Sequence, residues 1–73
     1  MPTNNIAAVD LYRQIATLEA AEFLGVTPRK LEMMRQRGDG PLYVRLSTKC
    51  VRYRIKDLVE YQEANLKRST LEN

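Results

Sequence analysis

Gly25, followed two residues later by Thr27-Pro28, is the feature that most restricts what this chain can fold into. A glycine directly after an apolar helical stretch takes the left-handed conformation that ends a helix. A Thr-Pro pair supplies an N-cap and a first helical residue whose missing N–H costs nothing. On one side lie Ala20, Ala21, Phe23 and Leu24, and on the other Leu31 and Met34, all at helical spacing. The expected result is two short helices around a three-residue turn, a helix-turn-helix arrangement. Thr17 is expected to cap the first, beginning at Leu18, with Glu19 complementing its positive end. The second runs from Pro28 to about Arg37 and stops at Gly38-Asp39-Gly40-Pro41. Ala21 is the small residue where the helices touch, and Leu24, Val26, Leu31 and Met34 fill their shared core.

The chain has 73 residues, enough for one small domain. Cys50 is the only cysteine and there is no histidine, so neither an intrachain disulfide nor a Cys/His zinc cage can form. The usual nucleophile–base pairs are missing as well. No catalytic residue, cofactor or metal is expected, and the composition favours a binding module over an enzyme. The longest strictly apolar run, Ile6-Ala7-Ala8-Val9, is far too short to span a bilayer. The first residues have neither the basic region nor the apolar stretch of a secretory signal. A cytoplasmic protein with no membrane partner is expected.

The formal charge of +3 is unevenly spread: +7 between Pro28 and Lys56, and −4 over the rest of the chain. Such a distribution suits one phosphate-facing surface, against the simpler alternative of solvated charges that happen to cluster. On the second helix, with Leu31 and Met34 turned inward, Arg29, Met33 and Gln36 take the outward face. Lys30 and Arg37 flank it, and Thr27 and Pro28 stand at its start. Arg and Gln read purine edges in the major groove, and Met33 offers an apolar contact for a thymine methyl. Glu32 is expected to pair with Arg29 or Arg35.

After Pro41 the period changes to two. Leu42, Val44 and Leu46 alternate with Tyr43 and Arg45, and Val51, Tyr53 and Ile55 with Arg52 and Arg54. A four-residue loop, Ser47-Thr48-Lys49-Cys50, would set Leu46 opposite Val51, Val44 opposite Tyr53 and Leu42 opposite Ile55. All apolar residues would then share one face, with Tyr43, Arg45, Arg52 and Arg54 on the other and Lys49 at the tip. Arginines facing one another across a ribbon are mildly destabilising unless a polyanion neutralises them. A last helix is expected from near Asp57 to about Lys67, anchored by Leu58 and Tyr61. Residues 1–14 read as an N-terminal arm or short helix, 15–67 as the folded domain and 68–73 as a flexible tail.

The stretch Ile15-Ala16-Thr17-Leu18-Glu19-Ala20-Ala21-Glu22-Phe23-Leu24-Gly25-Val26-Thr27-Pro28-Arg29-Lys30-Leu31 resembles the opening of the excisionase and AlpA-like group. Gly40-Pro41-Leu42-Tyr43-Val44-Arg45-Leu46 and Val51-Arg52-Tyr53-Arg54-Ile55-Lys56-Asp57-Leu58 resemble that family's hairpin and the start of its final helix. Met34 stands where the family often carries an aromatic residue. The likeness implies a mainly α fold with a two-stranded β wing, a winged helix-turn-helix of the MerR-like kind. It also implies a small phage or mobile-element factor that binds double-stranded DNA and is nucleoid-associated when bound. By this likeness the Pro28–Arg37 helix enters the major groove, and Tyr43, Arg45, Lys49, Arg52 and Arg54 meet the backbone or minor groove. Members of the group act as recombination directionality factors, bending attachment-site DNA to favour integrase-mediated excision, or as transcription regulators of mobile elements. An integrase or recombinase, and further copies on adjacent DNA sites, are the implied protein partners. A protein-interaction module of the antirepressor type is the alternative, supported by the acidic ends of the chain.

Overall fold

Gly25, Pro28 and Gly38 each mark an element boundary in the computed structural model, which describes residues 11–67. The elements in order are β1 (Gln14–Ile15), α1 (Thr17–Leu24), α2 (Pro28–Arg37), β2 (Val44–Ser47), β3 (Cys50–Arg54) and α3 (Ile55–Ala64). Three helices thus pack with one antiparallel sheet of order β1-β3-β2. No helix among the described residues is long and apolar enough to cross a membrane.

The α1–α2 turn is built as its residues require. Gly25 adopts φ +79°, and its N–H donates to the carbonyls of Ala21 and Glu22, while the Val26 N–H also returns to Ala21. Thr27 then caps α2, its hydroxyl accepting from the Lys30 N–H at 3.1 Å. At the far end Gly38 repeats the left-handed stop with φ +78°. The start of α1 departs from expectation. Its cap position is Ala16, with no side-chain cap, and Thr17 is already helical. The Thr17 hydroxyl instead lies 3.5 Å from the Arg35 guanidinium as an acceptor.

The core takes one or two residues from each of five elements: Ile15 of β1, Ala20 and Ala21 of α1, Leu31 and Met34 of α2, Val51 and Tyr53 of β3, and Leu58 of α3. Leu24, Val26, Ile55 and Tyr61 pack at its margin. Tyr53, Leu31 and Leu58 are its largest fully enclosed side chains, the two leucines each contributing about 1.5–3 kcal/mol by leaving water. Ala20 and Ala21 are fully buried, as expected where two helices come close, whereas Phe23 remains 40% exposed. Gly40 passes so close to α2 that a Cβ there would lie 2.9 Å from the Met34 Cβ.

The hairpin corrects the expected register. Its turn has two residues, Thr48-Lys49, between the paired Ser47 and Cys50. A bulge at Leu46 then shifts the ladder, so that Arg45 opposes Val51 and Val44 opposes Arg52. This slip reverses the faces of β2. Tyr43 and Arg45 take the side of Tyr53 and Val51, and the Tyr43 and Tyr53 rings meet at 6.1 Å between centroids. Leu42 and Leu46 are left 69% and 59% exposed. The physical cause is competition for a small interior. Tyr53, Leu31 and Leu58 already fill it, and β2, an edge strand paired on one side only, gains more from stacking Tyr43 than from forcing two leucines inward.

A third strand is also present. β1 pairs antiparallel with β3, Gln14 opposite Arg54 and Ile15 opposite Tyr53. The preceding main chain continues onto α3, whose Ile55 and Lys56 N–H groups donate to the carbonyls of Arg13 and Leu11 at 3.0 and 2.7 Å. Leu11 and Tyr12 form a turn and Gln14 is in a strand, so the helical alternative for the arm does not hold over residues 11–14. Its remainder, and the expected tail at 68–73, lie outside the described residues. The last helix occupies Ile55–Ala64, beginning and ending earlier than the Asp57-to-Lys67 span expected.

Candidate nucleic-acid interface

On α2 the residues singled out from the sequence all reach solvent: Thr27, Pro28, Arg29, Lys30, Met33, Gln36 and Arg37 are exposed. Thr27 is committed to its capping bond. The Arg37 Nε donates to Asp39 Oδ2 at 3.2 Å across the helix end, in an exposed pair. Glu32 forms no ion pair among the described residues, so the expected pairing with Arg29 or Arg35 is not made.

The hairpin residues divide into two groups. Arg45, Lys49 and Arg52 line one groove between the start of α1, α2 and the hairpin, together with Arg35 and Glu32 of α2. Arg45 donates from Nη1 to the Thr48 carbonyl at 3.3 Å, and Arg52 from Nη1 to the Val51 carbonyl at 3.0 Å. Tyr43 stands beside the groove, its ring 5.7 Å from the Arg35 guanidinium carbon and 5.8 Å from that of Arg45, close enough for cation–π attraction to both.

Arg54 belongs elsewhere. Its Nε and Nη2 donate to Oδ2 and Oδ1 of Asp57 at 2.7 and 2.9 Å. Asp57 is 4% exposed, and a two-toothed, charge-assisted contact of this kind fixes both partners. The hydrogen bond and then the charge of Asp57 hold the Arg54 guanidinium above its ordinary value. Geometry gives Arg54 the task of satisfying a buried carboxylate at the start of α3. Next to it, Lys56 pairs with Glu60, and that bond raises the lysine in the same way.

Arg29, Lys30, Arg35, Arg45, Lys49 and Arg52 form no ion pair among the described residues. The groove sets four of these cations against one carboxylate, Glu32. Elsewhere, Glu19 and Glu22 line an apolar cleft with Phe23, Ile15 and Ile55, and Arg13 at the same cleft pairs with Glu19 at 3.4 Å. Among the described residues no group of three His, Cys, Asp or Glu side chains could hold a metal ion. Cys50 is half-buried beside the hairpin turn.

Arg35 is the site residue that sequence reasoning missed. One signal for it was available: it lies four residues after Leu31, one helical turn along the same inward stripe. A cation at such a position must find polar company at the edge of the core. It does so in the Tyr53 hydroxyl, which accepts from Nη1 at 2.9 Å.

The chain matches no protein-family model and no curated protein sequence.

Proposed function

We propose that the chain is a non-enzymatic, sequence-specific binder of double-stranded DNA, a MerR-like winged helix-turn-helix in which α1 and α2 form the helical pair and β2–β3 the wing. The observation that carries this reading is the groove in which Arg35, Arg45, Lys49 and Arg52 stand together with one opposing carboxylate, beside an α2 face bearing Arg29, Lys30, Met33 and Gln36. Four unneutralised cations along one channel attract a phosphate backbone and fix its path. The exposed α2 face then meets base edges, where Arg29 and Gln36 supply donors for purines. If each groove cation neutralises one phosphate, log affinity falls with log salt at a slope of about −3.6, before any contribution from α2.

The resemblance to excisionases favours a role as a recombination directionality factor that binds and bends attachment-site DNA. The same device serves an AlpA-like transcription regulator. An integrase excision assay with and without the protein, run beside a promoter-reporter assay, separates the two roles. Electrophoretic mobility shift at low salt tests the common premise. Binding that weakens steeply with salt is expected, and no duplex binding at low salt refutes the reading.

A further inference from the structure

Arg35 differs from the other cations of the groove in being held by side-chain hydroxyls, both of them neutral. The Tyr53 hydroxyl accepts from it at 2.9 Å, the Thr17 hydroxyl lies at 3.5 Å, and the Tyr43 ring lies 5.7 Å from its guanidinium carbon. These contacts come from β3, α1 and the segment entering β2. They set the orientation of the guanidinium without cancelling its charge. A guanidinium has five N–H donors, and only Nη1 donates to a protein acceptor among the described residues. Arg45 is brought to the same ring, 5.8 Å from its centroid. A half-buried, oriented charge with open donors, in a groove that Arg45 also lines, is preorganised for an oxyanion, because little side-chain freedom is left to lose on binding.

We propose that Arg35 is the central cation of a phosphate seat at the junction of α1, α2 and the hairpin, with Arg45 as its second guanidinium. The occupant is a phosphate group with several oxygens available to planar N–H forks. The choice of a backbone phosphodiester rests on the duplex-binding reading; free inorganic phosphate offers the same chemistry. Glu32 in the groove wall opposes any anion; a phosphate backbone, with a charge on every nucleotide, is anchored along the groove by Lys49 and Arg52 as well, and oligoglutamate tests the acidic-peptide alternative.

The test follows the arginine Nε–Hε signals of the full chain by NMR. Sodium phosphate is titrated against sodium chloride at matched ionic strength, followed by a mixed-sequence DNA duplex and an oligoglutamate peptide. The Arg35 and Arg45 signals are expected to move together and saturate with phosphate and with duplex, and to stay still with chloride and oligoglutamate. Arg45→Ala, an exposed position, should weaken the phosphate response of Arg35 at least roughly threefold, since two guanidiniums share the anion. Arg29→Ala should leave it unchanged. Filling the seat should also raise the melting temperature, by roughly 6–11 °C at ten times Kd for a domain of this size. Arg29 responding to phosphate as strongly as Arg35, or oligoglutamate matching phosphate, overturns the seat. Duplex binding with a silent Arg35 overturns it too, while leaving the DNA reading intact. Phosphate moving Arg35 and Arg45 with no duplex binding supports the seat with free phosphate as occupant, and refutes the DNA reading.

Discussion

Replacing Tyr53 with Phe removes a single oxygen atom from the most enclosed part of the domain. The ring is fully buried and keeps its shape, so no cavity forms and the apolar contribution is almost unchanged. What disappears is the acceptor for Arg35 Nη1 at 2.9 Å. A hydrogen bond to a charged group contributes about 1.5–3 kcal/mol. Arg35 is only half-buried, so water replaces part of the loss and the lower end applies, about 1.5 kcal/mol. A chain of this length has a total stability of roughly 4–11 kcal/mol. The substitution therefore removes a sizeable share and lowers the melting temperature by roughly 6–12 °C. Urea denaturation followed by far-ultraviolet circular dichroism gives the number, and the slope of free energy with urea should not change. A double-mutant cycle with Arg35→Gln should return a coupling of about 1 kcal/mol. A Tyr53→Phe protein within about 0.3 kcal/mol of the parent, or a cycle with no coupling, would show that the hydroxyl does not hold Arg35.

Gly40→Ala places a Cβ against the Met34 Cβ at 2.9 Å and should cost about 1–3 kcal/mol by overpacking, measured by urea denaturation; no loss would show that the loop yields freely. Thr27→Ala deletes the α2 cap and should cost about 1 kcal/mol, whereas Thr27→Ser should be nearly neutral in the same assay. Arg54→Ala should lower the urea midpoint more than Arg52→Ala, because it strands the buried Asp57. In salt-dependent mobility shifts the order should reverse, with Arg52→Ala flattening the slope and Arg54→Ala leaving it alone. Substitutions at Arg29 or Gln36 should change which duplex sequences are preferred, while Arg52→Ala weakens all of them alike, as read by competition binding.

The helical half of the domain was legible because its information is local. Gly25, Thr27-Pro28 and the Gly38–Pro41 cluster each dictate a backbone conformation within a residue or two, and Leu31 and Met34 sit one turn apart on the side that becomes core. The hairpin was only half legible. Alternation identified two strands, but a bulge adds a residue without any change in composition, and everything on β2 beyond Leu46 turned over with it. Nothing local shows which face a leucine or a tyrosine of such a strand will take once the interior is nearly full. β1 was invisible for a different reason: a two-residue strand is too short to show a period, and its partner lies some forty residues away. The same non-local pairing explains the sites. Arg52 and Arg54 look interchangeable along the strand, and only the arrival of Asp57 takes one of them out of the basic surface.

The segment Leu11–Ile15 supplies what α3 lacks at its own start. Arg54, in the cap position, offers no side-chain cap, and two of the first N–H groups of α3 find their acceptors on Arg13 and Leu11. Two donors at the start of the final helix are thus satisfied by main chain from the opposite end of the domain. The two regions should therefore open and close as one unit. Amide exchange at Ile55 and Lys56 would then follow the fate of β1 rather than that of α3. Trimming the chain as far as residue 15 would loosen the last helix from a distance, although no residue of that helix had been touched.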